Sequence, residues 1–157
     1  MAAFPEEGPM PTEADVQVKL AIYREFADSG RAPSIEAIAA RTGLPRDAVL
    51  EAYRSLRAQR LLVLEPDGAT IIMAPPFSGV PTQHRVESKG VEYYGNCAWD
   101  ALGVLAALHQ PGTIRSRCEQ SGDPLVLEVG ENGPEPSTWV YHCLVPAARW
   151  WEDVVFT

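Results

Sequence analysis

Cysteine is scarce in this 157-residue sequence: three are present, Cys97, Cys118 and Cys143, without dense or regular spacing. An odd and sparse set excludes a disulfide-stapled secreted scaffold and suits free thiols in a reducing compartment. No CxxC pair occurs, which removes zinc-ribbon and thioredoxin-type motifs. Long apolar runs are also lacking, and none approaches the length of a membrane span. The opening MAAFPEEGPMPTEAD is acidic and Pro-rich, unlike a signal or transit peptide, so a cytoplasmic protein with no membrane partner is expected. Positive charge is in deficit: 13 Lys and Arg against 21 Asp and Glu leave a net charge of −8. That balance repels polyanions at long range and makes DNA a possible but not a favoured partner. Repeats and low-complexity segments are absent.

What is present is an ordinary globular composition, 46% hydrophobic and 22% charged, long enough for one domain or two small ones. Residues 1–12 are expected to be a mobile tail. Helical periodicity follows from about Glu13 to Asp28, with Val16, Leu20, Ile22, Tyr23 and Phe26 close to one stripe, ended by Ser29-Gly30. Ser34 is placed to cap a short helix, IEAIAART, that Gly43 stops. Leu44-Pro45 opens a third helix, RDAVLEAYRSLRAQR, with Val49, Leu50, Tyr53 and Leu56 inward. The period then shortens: LLVLEP and ATIIMA around Asp67-Gly68 read as a hairpin. Three helices and a hairpin make a winged-helix arrangement. Arg46, Arg54, Arg57 and Arg60 are its candidate phosphate contacts, whereas Asp47 and Glu51 on the same helix would oppose phosphate, which favours a packing module.

Pro75-Pro76-Phe77-Ser78-Gly79 breaks the pattern and reads as a linker. Beyond it, QHRVES, GVEYYGN, TIRSRC, PLVLEVG and STWVYHCLVP are candidate strands, and AARWWEDVVFT starts as a short helix or turn and ends strand-like. Between the second and third of these lies AWDALGVLAALH, an apolar helix preceded by Gly95-Asn96 and stopped at Gln110-Pro111-Gly112. The fold class is therefore α+β. A winged-helix-like three-helix module with a hairpin spans 13–76, and a small mixed α/β domain with an antiparallel sheet and a central helix spans 77–157.

Cys97 and Asp100, three residues apart at the start of the apolar helix, would share one of its faces. In the first helical turn, backbone N–H groups and the helix dipole favour a thiolate, while the neighbouring carboxylate opposes it, so the two groups would share a proton. The pair suits a soft electrophile held on sulfur beside a carboxyl that can give up a proton. Other readings stand beside this one, among them a winged-helix transcriptional regulator or soft-metal sensor in which Cys97 binds a soft ligand without breaking a bond. Cys97 could be a small buried residue, and Asp100 could cap an element or pair with Arg115 or Arg117. Cys118 reads as a structural thiol at a turn. Cys143, beside His142, could be a second metal ligand, but neighbours on a strand face opposite ways, which favours a structural role. His84 and His109 read as surface or helix-end residues. Trp99, Trp139, Trp150 and Trp151 read as core, with some able to line an apolar pocket.

Three segments in order resemble the alkylmercury (organomercurial) lyase family: Asn96-Cys97-Ala98-Trp99-Asp100 with Ala101-Leu102, the turn Ser116-Arg117-Cys118-Glu119-Gln120-Ser121-Gly122-Asp123-Pro124-Leu125, and Leu144-Val145-Pro146-Ala147-Ala148-Arg149-Trp150-Trp151, a V-P-x-A segment ending in aromatics. That family also sets a winged-helix-like domain before its catalytic one. The resemblance implies protonolysis of a carbon–mercury bond in an organomercurial small molecule, without an organic cofactor. The thiolate matching Cys97 would bind mercury, and the carboxyl matching Asp100 would protonate the departing carbanion and then help hold mercuric ion. The family's second catalytic cysteine has no match, since Glu135-Pro136-Ser137-Thr138 stands at its place. Cys143, nearby in sequence, is the substitute that remains.

Overall fold

The computed structural model describes residues 10–143 and 145–152. Helix α1 (Glu13–Ser29) starts at Thr12, whose hydroxyl accepts from the Asp15 N–H while the Asp15 carboxylate accepts from the Thr12 N–H. This reciprocal box satisfies two backbone donors at the helix end. Gly30, with φ 69°, closes α1. Helix α2 (Ile35–Thr42) runs from the Ser34 cap to Gly43, and α3 (Arg46–Ala58) follows Pro45. The predicted mobile tail lies outside the described residues over 1–9, and by Thr12 the chain is already part of the α1 cap.

The hairpin prediction corresponds to β1 (Val63–Leu64) and β2 (Ile71–Ala74), antiparallel around a turn in which the Asp67 carboxylate accepts from the N–H groups of Ala69 and Thr70. A third strand, β3 (Phe77–Ser78), completes the sheet on β2. It lies in the segment read as a linker. Composition suggested a break there, but Phe77 is buried against Phe26, Tyr23 and Tyr93, and burial of an aromatic ring outweighs the turn-forming neighbours.

The remaining strands form one antiparallel sheet of five: β4 (Arg85–Ser88), β5 (Val91–Tyr94), β6 (Gly112–Arg117), β7 (Pro124–Gly130) and β8 (Gly133–Pro134), in the order β5-β4-β6-β7-β8. Register puts Val86 opposite Tyr93 on one side and Ile114 on the other, and all three are buried. Helix α4 (Ala98–Leu108) packs on the sheet through Ala101, Val104 and Leu105. The architecture is α+β, three helices with a small sheet and then a five-stranded antiparallel sheet with one helix.

The α1 helix also reaches this second sheet. The Tyr93 hydroxyl donates to the Ala27 carbonyl at 2.8 Å, and a Cβ on Gly30 would stand 2.0 Å from the Glu92 carbonyl oxygen. Two expectations fail. STWVYHCLVP is not a strand in its described residues, and Cys143 is exposed in irregular chain rather than on a strand. β-forming residues alone do not make a strand without a neighbour to hydrogen-bond. Ala147–Glu152 forms a 3-10 helix, and the strand-like end predicted over 153–157 lies outside the described residues. No helix among the described residues is long and apolar enough to cross a membrane.

Candidate functional site

The site is built at the junction of β5 and α4. A Cβ on Gly95 would lie 2.6 Å from the Ala101 nitrogen, so only glycine lets the end of β5 run against the first turn of α4. The Thr82 hydroxyl and the His84 carbonyl fix Gly95 from the other side. Cys97 is the N-cap residue of α4, one position earlier than predicted, with extended φ −143° and no side-chain cap bond. Its carbonyl accepts the first helical bond, from Ala101. Asp100 follows in the first turn, so the two side chains meet as the spacing required.

Both groups hold their protons more tightly than usual. Burial pushes the Cys97 thiol up, and the Asp100 charge adds to this against N–H groups of Asp100 and Trp99 that pull it down. The expectation that the helix start would favour the thiolate is corrected here, because desolvation outweighs the backbone donors. Burial likewise raises Asp100 above the ordinary carboxylate range, in line with a carboxyl that retains a proton. Its partners are the Asn96 amide, which donates to Oδ2 at 3.0 Å, and the Cys97 side chain, rather than Arg115 or Arg117.

Sequence reasoning missed Tyr141. Its hydroxyl donates to Cys97 Sγ at 3.9 Å, and its ring lies on Trp99 with centroids 5.9 Å apart. Burial raises its phenol, and so do Cys97, Cys143 and Asp100 once they are ionised, as they are before a phenol loses its proton. A residue in a segment taken for a strand gave no sign of such a role. Asn96 was visible only as a turn residue, although its spacing to Asp100 is that of a helical neighbour.

Cys143 is exposed, and its Sγ donates to the Val145 carbonyl at 2.9 Å. Cys118, at the β6–β7 turn, is held below the usual thiol range by the Ser121 side chain and the N–H groups of Ser121 and Gln120. His84 is half-buried, with Nδ1 2.8 Å from the Ser116 hydroxyl, and burial lowers its pKa. His109 is the left-handed C-cap of α4. Among the described residues, no group of three or more His, Cys, Asp or Glu side chains is placed to hold a metal ion. Of the arginines considered for phosphate, Arg46 pairs with Glu36 and Arg54 with Glu51.

Comparison with known proteins identifies the family. Residues 77–157 match the family described as alkylmercury lyase. Among curated relatives, the alkylmercury lyase of Bacillus cereus is 29% identical over 120 residues, 74% of this chain and 53% of the relative. That of Staphylococcus epidermidis is 31% identical over 115 residues, 71% of this chain and 51% of the relative. The chain thus spans about half the length of the curated relatives it matches. Among solved structures, the mercury-bound form of MerB2 has a similar fold, with a TM-score of 0.64 at 23% identity over 82% of this chain and 61% of that one. With the family matched across more than half of its residues and a relative at 31% identity, this chain belongs to the alkylmercury lyase family.

Proposed function

We propose that this chain cleaves carbon–mercury bonds by protonolysis, with Cys97 as the mercury-binding thiolate and Asp100 as the proton donor. The observation that carries the reading is a carboxyl whose burial favours its protonated form, standing one turn from a thiol and interacting with it. The likeness to a protein solved in a mercury-bound form supports mercury as the metal.

In the proposed reaction an organomercurial cation displaces the Cys97 proton and forms a mercury–sulfur bond, which thiolate softness favours. The carbon–mercury bond then breaks heterolytically. Its electron pair stays on carbon, and carbon takes the Asp100 proton to leave as hydrocarbon. The carboxylate left behind neutralises part of the charge on mercuric ion. Asn96 serves this step in both states, because its amide donates to the carboxylate and, turned over, its oxygen accepts from the protonated carboxyl. Cys143 is the candidate second mercury ligand, replacing the unmatched cysteine from a shifted position. Its support is that Tyr141, whose hydroxyl reaches Cys97 Sγ, stands two residues before Cys143 in the chain. No organic cofactor has a role in this scheme.

Residues 13–76 are read as the winged-helix-like packing module and 77–157 as the catalytic part, with DNA contact disfavoured by the pairing of Arg46 and Arg54. The test is incubation with phenylmercury and a small-thiol buffer, with benzene measured by gas chromatography. Wild type releases benzene, and Cys97→Ser loses at least about a hundredfold of the rate. Absence of benzene from wild type, or release unchanged by the substitution, removes the catalytic assignment.

A further inference from the structure

Trp99 stands two positions after Cys97 and is 57% exposed, although α4 has a buried face available at Ala101, Val104 and Leu105. A side chain of that size and apolarity is seldom left so open. Tyr141 is its aromatic neighbour, at 5.9 Å between centroids with planes tilted by 40°. Tyr141 is itself 41% exposed while its hydroxyl reaches the Cys97 sulfur. Two accessible aromatic rings in mutual contact thus lie near one thiol, one of them reaching its sulfur. The Trp99 ring takes no place in the buried core of the sheet and helix, so core packing does not account for it.

Mercury(II) on a thiolate favours two ligands in line, so a group bonded to mercury projects outward past the sulfur. At Cys97 the neighbouring aromatic surface is Tyr141, whose hydroxyl reaches the sulfur, extended by Trp99 against the Tyr141 ring. A flat aryl group can meet an exposed ring face or edge in offset or edge-to-face contact, while a methyl group is too small to gain much from either.

We propose that Trp99 and Tyr141 form the subsite for the organic group and make this chain selective for arylmercurials over methylmercury. The inference rests on Cys97 as the mercury-binding residue, but not on bond cleavage. Aromatic contact of this kind corresponds to a preference of between about twofold and about tenfold.

The test measures how much phenylmercury or methylmercury protects Cys97 from alkylation, by peptide mass, in a fixed excess of small thiol. The phenyl-to-methyl ratio of half-protecting concentrations is compared among wild type, Trp99→Leu, Tyr141→Leu and Tyr141→Phe. Selectivity for phenyl is expected to fall at least about twofold in each leucine variant and to persist in Tyr141→Phe, which keeps the ring. Circular dichroism checks that the variants fold, as expected for two exposed side chains that take no part in the buried core. A ratio equal to wild type in both leucine variants overturns the subsite. Benzene and methane are followed in the same samples. Selective protection without hydrocarbon release keeps the subsite and removes the lyase reading, whereas hydrocarbon release with an unselective ratio does the reverse.

Discussion

Cys97 and Cys118 both have backbone N–H groups directed at sulfur, yet they shift in opposite directions. At Cys118 the donors and the Ser121 side chain prevail and the thiolate is favoured. At Cys97 the same kind of donor is outweighed by burial, with the Asp100 charge opposing ionisation as well. Alkylation of Cys118 is therefore expected to reach half its maximal rate at a lower pH than alkylation of Cys97. At neutral pH iodoacetamide should label Cys118 before Cys97, which peptide mapping over a pH series reads directly. Equal midpoints, or Cys97 labelled first, would count against the burial argument. The sequence revealed the meeting of Cys97 with Asp100 because a cap residue and the residue three positions on, in the first helical turn, come together as two residues of one helical face would. It did not reveal the sign of the Cys97 shift, because burial depends on what the fold lays over a residue. Tyr141, forty-four positions from Cys97 in sequence, was invisible for the same reason.

Several helix ends were legible in this sequence: Ser34, Gly43 and the Ser29-Gly30 stop lie where turn chemistry placed them, whereas the Thr12 and Cys97 caps were not foreseen. The inward face of α1 was less so. Val16 and Leu20, expected in the stripe, are exposed, while Asp15, Val18, Ile22 and Phe26 are buried. Asp15 explains the rotation, since its carboxylate accepts from the Thr12 N–H and from the Ser55 hydroxyl, and a satisfied carboxylate can occupy a face that a count of apolar residues leaves out. The end of the same helix is a sharper case. Gly30 combines φ 69° with a Cβ position 2.0 Å from the Glu92 carbonyl oxygen. Gly30→Ala must both strain the left-handed cap and push α1 off β5, so a loss of at least about 2 kcal/mol is expected. Urea unfolding measures it, and Gly43→Ala is the control: Gly43 has a similar φ of 73° but nothing within 4 Å of the added carbon. Equal losses at the two glycines would show that cap strain alone, and not the contact between α1 and β5, sets the cost.

Across the molecule, one set of buried side chains joins the helices to the sheet that carries the site. It includes Val18 and Phe26 of α1, Tyr53 of α3, Phe77 of β3, and Val86 and Tyr93 of the five-stranded sheet. Phe77 is central to it, stacked on Phe26 with centroids 5.3 Å apart and tilted against Tyr93 at 6.1 Å. Its neighbour Pro76 lies under α4, where a Cβ on Gly103 would come within 3.0 Å of it, and Phe77 itself bridges to Gly95 beside Cys97. The stretch whose prolines and glycine suggested a linker thus connects the first three helices to the cysteine, something local composition could not convey because the contacts are distant in sequence. If the helical part and the sheet were held only by a flexible joint, truncating Phe77 would leave each to unfold at its own midpoint. The shared core gives a different expectation: Phe77→Ala costs about 3–5 kcal/mol, and helix and sheet are lost together. Far-ultraviolet circular dichroism follows the helices, and near-ultraviolet signals from Tyr93 and the tryptophans follow the sheet and site. Coincident transitions in wild type, both moved to lower denaturant in Phe77→Ala, are the expected result. A helical signal that outlasts the aromatic one in either protein would mean that the site rests on the sheet alone.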